Sequence, residues 1–422
     1  NFKIQNLIKL DEEIVNEIVE NPKNIILNFE DQNKITIAEF IQTDRKLKRL
    51  NNEEVLIYAA KLIKIYEKYL YESQFKFCFM EITWFHEIIL YFFCKKFKIE
   101  VYSPVRCKLS FNKFFIFTDY NRKNNIQISS NESYSYEELK KEIDLKLPLK
   151  RNMKLTQEKE FIKLSKRNSL NFDKIRVLID LFSRKYQGGF FKYIHMSLSW
   201  YIKYKIKCVL RKHFFNSFYK FDKCNYKNIK YVYIPLHVQP EAGIDLVGRK
   251  YSNQIEFIKK CAASLPANYH IIVKDHPHDF GRKNSKYYKE IQSINSCLLV
   301  HPKEGVEEII TNSDLVITIV GTTSLEACLM GIPSLTAVEM YYSKLLVSRN
   351  FNPYIEKLDE IINNELNNWK NFRGTKKFKE ILLNIFSNRF QGNVSGTDMN
   401  KEVYNKENII TLLGLFNYLY DR

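Results

Sequence analysis

Three short stretches carry residues whose types and spacing suit the handling of a phosphate-bearing ligand. Residues 321–324 read Gly-Thr-Thr-Ser, directly after the apolar run 315–320 and directly before residues at helical spacing. Gly321 permits a tight turn, and Thr322, Thr323 and Ser324 fall where a helix begins. Free backbone N–H groups at that point, together with the aligned peptide dipoles, attract an anion, and the hydroxyls add donors. Ser and Thr also cap helices in ordinary βαβ units, so a purely structural role fits the same residues. Residues 237–243, His-Val-Gln-Pro-Glu-Ala-Gly, set the Gln239 amide and the Glu241 carboxylate on a turn stiffened by Pro240. Residues 275–281, Asp-His-Pro-His-Asp-Phe-Gly, place Asp275, His276 and Pro277 directly after an apolar run. An imidazole in that place can donate to a phosphate and offset the charge that develops as a nucleotide departs. A His before Pro also serves as a loop-forming hydrogen bonder, and His278 and His301 are read in that way. Lys274 and Arg282 flank the stretch and could pair with a phosphate or an acidic sugar, although Lys274 also suits a strand end facing solvent.

These stretches sit at corresponding points of a regular alternation. Strand-like runs at 231–236, 270–274, 297–301, 315–320 and 334–338 alternate with helical spacing at 251–264, 285–293, 306–312 and 324–330. Alternation at that interval predicts a doubly wound parallel sheet. In such sheets ligands bind beyond the carboxyl ends of the strands, which is where all three stretches fall. Gly331-Ile332-Pro333 ends the last helix and leads to the next strand. The sequence has no Asp-x-Asp pair and no His or carboxylate cluster with metal spacing, so no metal is expected.

The first half reads as a less regular α/β domain: helix 51–71, strand 75–80, helix 84–97, strand 100–102 and strand 114–118. Residues 121–174 are polar and rich in Lys and Asn. Residues 190–221 hold no carboxylate, yet carry Lys192, Lys203, Lys205, Lys207, Arg211, Lys212 and Lys220 among seven aromatics from Trp200 to Tyr219. Such a helix could lie on an anionic bilayer, or join two domains with its lysines in water. No recognition motif supports nucleic acid. Residues 354–369, 378–386 and 408–420 return to helical spacing, and 394–405 read as a polar loop.

Length and composition agree with this organisation. A chain of 422 residues exceeds a single core; 45% hydrophobic residues suffice for globular packing, and 14% aromatics argue against disorder. The net charge of +18 suits an anionic partner. The eight cysteines form no Cys-x-x-Cys pair and several lie in apolar runs, which predicts buried, reduced thiols in a cytoplasmic protein. Apolar stretches fall short of the roughly 18–20 residues that cross a bilayer.

Residues 233–241 (YIPLHVQPE), 273–277 (VKDHP), 321–327 (GTTSLEA) and 331–333 (GIP) resemble, in order and spacing, the capsule polysaccharide biosynthesis family, which includes bacterial β-Kdo glycosyltransferases. The resemblance covers about residues 230–338 and, more loosely, 75–119. It implies a GT-B-like α/β fold, two Rossmann-like doubly wound domains facing a cleft, with C-terminal helices crossing back. The implied domains are 1–225 on the acceptor side, with the basic helical linker near 190–223, then 226–345 for the nucleotide sugar, then the helices of 346–422. It also implies that His276, Thr322, Thr323 and Ser324 bind the donor phosphate and that Glu326 lies near the ribose. Gln239, Lys274, Asp275, Pro277, Arg282 and Gly321 complete the implied donor set. Glu241 takes the place of the catalytic carboxylate, where the family commonly has Asp; as a nucleophile it would give retention through two displacements, as a base inversion. Glu81, across the cleft, is the candidate for acceptor activation. The implied function is transfer of Kdo or a related acidic sugar from a CMP donor to a surface polysaccharide or glycolipid, without a metal or other cofactor. An anionic membrane surface is a further expected partner, at the inner face of the cytoplasmic membrane. A UDP- or GDP-sugar transferase or epimerase, a polyol-phosphate transferase, and a non-catalytic scaffold of a glycan assembly complex remain as alternatives.

Overall fold

The computed structural model describes residues 13–146, 198–394 and 405–421, less 15, 45, 46, 108, 110, 111, 128–134, 348–350, 353 and 355. Most of the polar stretch after residue 146, the start of the basic aromatic segment with Lys192, and nearly all of the 394–405 loop lie outside the described residues. What is described is an α/β protein of two units facing a cleft.

The first unit comprises α1 (Pro22–Asn33), α2 (Ile37–Ile41), α3 (Asn52–Tyr71), β1 (Phe77–Phe79), α4 (Phe85–Lys96), β2 (Glu100–Arg106), β3 (Lys113–Phe117) and α5 (Tyr136–Lys146). Helix α3 starts where Asn51 caps it: the Asn51 side chain accepts from the Glu54 N–H at 2.8 Å, and Glu54 accepts from the Asn51 N–H. Its buried face, including Tyr58, Leu62 and Tyr66, packs on α1 and α4. Strands β1 and β2 pair in parallel, joined through α4, which is the strand–helix–strand unit expected from the spacing. Strand β3 then runs antiparallel to β2, with Ser103 opposite Phe117. The connection between them is too short for the dozen or more residues a parallel crossover needs, so the first sheet is mixed and only its first half is Rossmann-like.

After α6 (Leu198–Ser217), the second unit alternates β4 (Tyr231–Pro235), α7 (Gln254–Ala263), β5 (His270–Lys274), α8 (Ser285–Gln292), β6 (Cys297–Val300), α9 (Val306–Thr311), β7 (Leu315–Thr318), α10 (Thr323–Met330) and β8 (Ser334–Thr336). All five strands are parallel in the order β6-β5-β4-β7-β8. Val232 and Ile234 face one core cluster while Tyr231 and Tyr233 face another. Burial on both faces is why these strands read as unbroken apolar runs. The chain leaves β4 in one direction for β5 and β6, then returns to β7 on its other side. The crevice between β4 and β7 is the topological switch point, where ligands sit in open α/β sheets.

Helix α6 packs on this unit through Phe215, which is buried against Phe280 and Tyr288. Gly281 makes the approach possible: with φ +84°, it lies where an added Cβ would be 2.5 Å from Lys212 Cγ and 2.6 Å from the Cys208 carbonyl. The C-terminal segment, α11 (Leu358–Arg373), α12 (Lys376–Ser387), β9 (Phe390–Gln391) and α13 (Lys406–Asp421), crosses back to the first unit. There β9 pairs with β3, Leu415 and Leu419 cover Phe114 and Ile116, and Arg389 holds Glu142 of α5 at 2.8 and 2.9 Å.

Candidate functional site

A cleft of about 710 Å³ lies between the units, at the switch point of the second sheet. Its base is built by the loops after β4, β5 and β7, and its opposite wall by the segments before α4 and around β2 and β3.

The loop after β4 is fixed by a chain of amide hydrogen bonds. Gln254 accepts from the His237 N–H at 2.7 Å and donates to the Gln239 Oε1 at 3.1 Å. Gln239 in turn donates to Asp245 at 2.9 Å and to the Ser252 carbonyl at 3.2 Å, and Asp245 accepts from the Glu241 N–H at 3.0 Å. The Gln239–Pro240 bond is cis. Gln239, expected to bind the donor, is therefore engaged inside the loop and does not line the cleft, whereas Glu241 on the same turn does. A π-helical turn follows, closed by the Gly248 N–H donating to the Gly243 carbonyl at 2.8 Å.

Beyond β5, Asp275 is fully buried. Its carboxylate accepts from Lys283 Nζ at 2.7 Å, from the Tyr288 hydroxyl at 2.5 Å and from the His276 N–H at 2.8 Å. Burial raises its pKa, while Lys283 opposes that rise. The ring of His276 lies in the cleft, and its Nδ1 accepts from the His278 N–H at 3.1 Å. With Nδ1 an acceptor, the neutral form of the ring carries its proton on Nε2. His278 stacks on it at 5.2 Å and serves the loop. Lys274 is only 6% exposed. Among the described residues no hydrogen bond or ion pair engages its Nζ, and burial pushes its pKa down to about 8 against the pull of Asp275, Glu307 and Glu304.

The loop after β7 carries Gly321 at φ +108°, then Thr322 and Thr323 at the start of α10. Two side chains pin it. His237 Nε2 bonds the Val320 backbone, and the Tyr342 hydroxyl bonds the Gly321 carbonyl. The Tyr342 hydroxyl also lies 2.6 Å from Ser324 Oγ, which is fully buried. Ser324, expected to touch a phosphate, thus packs away from the cleft, while Thr322, Thr323 and Glu326 line it. Burial drives the His237 pKa down to about 4, so that ring is neutral.

The first unit contributes Glu81, Thr83, Trp84, Arg106 and Arg122. Glu87 accepts from the Thr83 and Trp84 N–H groups at 2.5 and 2.8 Å, and Asp44 accepts from the Phe85 N–H at 3.1 Å, which fixes the Glu81–Trp84 segment at the start of α4.

The structure thus gathers Glu81, Glu241, Lys274, Asp275, His276, Pro277, Gly321, Thr322, Thr323 and Glu326 around one cleft. Arg282 joins Gln239 and Ser324 outside its lining. Asp279 claims the Arg282 side chain at 3.3 Å, and the Arg282 carbonyl accepts from Arg211 of α6 at 2.7 Å. Sequence reading missed His237, Tyr342, Arg106 and Arg122. His237 stands inside a quoted motif and could have been found; Arg122 falls in the polar stretch whose spacing predicts nothing.

A family model described as capsule polysaccharide biosynthesis protein matches residues 144–363. No curated protein sequence matches the chain. Among solved structures, similarity is found to KpsC beta Kdo 2,4 transferase of Thermosulfurimonas dismutans, at 10% identity over 75% of this chain and 80% of that one, TM-score 0.34. The beta Kdo 2,7 transferase of the same organism's KpsC gives 11% identity over 75% and 78%, TM-score 0.31. The UDP-GlcNAc 2-epimerase of Methanocaldococcus jannaschii gives 17% identity over 78% and 82%, TM-score 0.29. The family match takes in more than half of the residues, and the chain belongs to the capsule polysaccharide biosynthesis family.

Proposed function

We propose that this chain is a glycosyltransferase of capsule assembly, moving Kdo or a related acidic sugar from a CMP donor to a polysaccharide or glycolipid acceptor. The observation that carries the reading is the convergence, on one cleft at the switch point, of the His276 ring, the Lys274 ammonium and the threonines that open α10. All three favour the same thing, a phosphate whose negative charge grows. The N-terminus of α10 and its hydroxyls seat the phosphate. Lys274 places a cation beside it in a shielded setting, where charge interactions are stronger than in water. His276 donates from Nε2 to the phosphate oxygen as the bond from the anomeric carbon to that oxygen breaks. These side chains supply the charge, and no step is assigned to a metal.

Glu241, on the same base, is assigned to the anomeric carbon, as nucleophile with retention or as base with inversion. Glu81, on the facing wall, is assigned to remove the proton of the acceptor hydroxyl. The outer face of α6 is assigned to an anionic bilayer, because apolar side chains stand exposed there, Leu210 at 64%, with Phe218 beyond its end at 70%, among lysines.

His276→Ala tests the transfer reading. The variant should lose roughly 10²- to 10³-fold in kcat if the imidazole stabilises the leaving phosphate. Near-normal turnover would remove it from the mechanism. A thermal-shift panel of CMP, UDP and GDP decides the donor: the reading expects stabilisation by CMP alone, whereas a response to UDP or GDP favours the other nucleotide-sugar enzymes.

A further inference from the structure

Arg122 reaches the cleft from the first unit and has no part in the scheme above. It stands in the turn that follows β3 with φ +58°, a conformation uncommon for a residue with a side chain and kept where the surroundings enforce it. Asp119 enforces it here: its carboxylate accepts from the Lys123 N–H at 3.2 Å and the Asn124 N–H at 2.7 Å, while its carbonyl accepts from the Arg122 N–H at 3.2 Å. Lys123 is tied in addition to Glu339 of the second unit at 2.8 Å. The backbone of the turn is therefore held within the first unit and tied to the second.

Among the described residues, no hydrogen bond or ion pair engages the guanidinium. Burial lowers its pKa from the usual arginine value, and Glu81, Glu241 and Tyr341 act through space in the opposite direction. The two carboxylates come from opposite walls, and they are the groups assigned above to the anomeric carbon and the acceptor hydroxyl. A third negative charge entering the cleft near them would be repelled. A neutral aldose brings no such charge. A ulosonic acid does, because its carboxylate is attached to the anomeric carbon and must arrive wherever that carbon arrives. A planar guanidinium with five donors is the side chain best shaped to receive it, in a two-bonded pair.

We infer that Arg122 is a specificity-determining residue that receives the carboxylate on the anomeric carbon of the transferred sugar, so that the site selects ulosonic acids over neutral aldoses. This rests on the transferase reading above and names the group by which that site recognises its sugar. Arg122 takes no part in bond breaking; it offsets the charge of the substrate carboxylate between Glu81 and Glu241.

The test uses the full chain and its Arg122→Gln and Arg122→Lys variants, with melting temperatures compared first, then titrated with CMP and assayed for hydrolysis of freshly made CMP-Kdo. Arg122→Gln should leave the Kd for CMP within about twofold and raise KM for CMP-Kdo roughly 10- to 100-fold, the range of a charge-assisted pair. Arg122→Lys should recover part of that loss, since it restores the charge but not the fork. An unchanged KM for CMP-Kdo alongside normal CMP binding would overturn the inference and leave the donor reading standing. So would a fall in kcat at unchanged KM, which would mean that Arg122 acts on Glu241 rather than on the sugar. Failure of CMP to bind the unaltered chain would overturn the donor reading, and this inference with it.

Discussion

Lys274 holds a charge where the fold alone disfavours one. Its pKa stands near 8, below the ordinary lysine value of 10.5, so the folded state releases the proton more readily than the unfolded chain. Stability therefore rises with pH between about 8 and 10.5, and below about 8 the full penalty is present. That depression corresponds to something on the order of 3 kcal/mol. Lys274→Met should accordingly raise the melting temperature of the ligand-free protein by a few degrees at pH 7, while abolishing stabilisation by CMP. A drop in melting temperature would mean that the ammonium has a structural partner. The same titration predicts that CMP binding weakens as pH rises through 8, because the uncharged amine no longer attracts phosphate. At this scale, legibility followed the strand ends. His276, Thr322 and Thr323 line the cleft where expected because a strand–turn–helix pattern is local and the strand-end rule says which way its loop faces. Gln239 and Ser324 sit in the same motifs, yet their side chains turn inward to Asp245 and Tyr342, partners that no spacing discloses. Arg122 depends on a left-handed residue in a polar turn, for which the sequence gives no periodic signal.

Among elements, the second sheet was readable nearly strand by strand because each strand is buried on both faces and punctuated by Gly, Pro or polar turns. The first sheet was less so. Strand β3 turns antiparallel for want of connecting chain, and β9 is two residues long and pairs with Lys113 and Phe114 far away in sequence. Helix α6 was legible as a basic, aromatic helix but not in its packing, since either face offered aromatics. The structure commits Phe215 and Cys208 to the second unit and leaves Leu210 and Phe218 exposed. If that outer face meets lipid, Leu210→Ser combined with Phe218→Ser should cut co-sedimentation with phosphatidylglycerol vesicles by about tenfold or more, and leave binding of CMP unaltered. Equal sedimentation of the variant and the parent would assign the face to another partner. Because Gly281 lets α6 lie against the Asp275–Gly281 loop, this helix also backs one of the loops that line the cleft.

At the scale of the molecule, the two units are joined below the cleft as well as through the C-terminal segment. Arg249 pairs with Glu39 at 2.8 Å and lies over the Phe40 ring at 4.7 Å. Leu246, from the π-helical turn of the second unit, is buried in the core cluster of the first, with Ile82, Phe85 and Ile88. Leu246→Ala should destabilise the protein by about 2–5 kcal/mol as a core truncation, and should lower kcat more than it raises KM for the donor. Loss of stability with unchanged kcat would show that the turn needs no anchor for catalysis.

That seating of Leu246 bears on how the enzyme breathes. The turn that begins at Glu241 is hydrogen-bonded to Asp245 and, one residue later, is rooted in the opposite half of the protein. Any relative movement of the two halves would therefore act on Glu241 through Leu246, on the side of the cleft that bears Glu81.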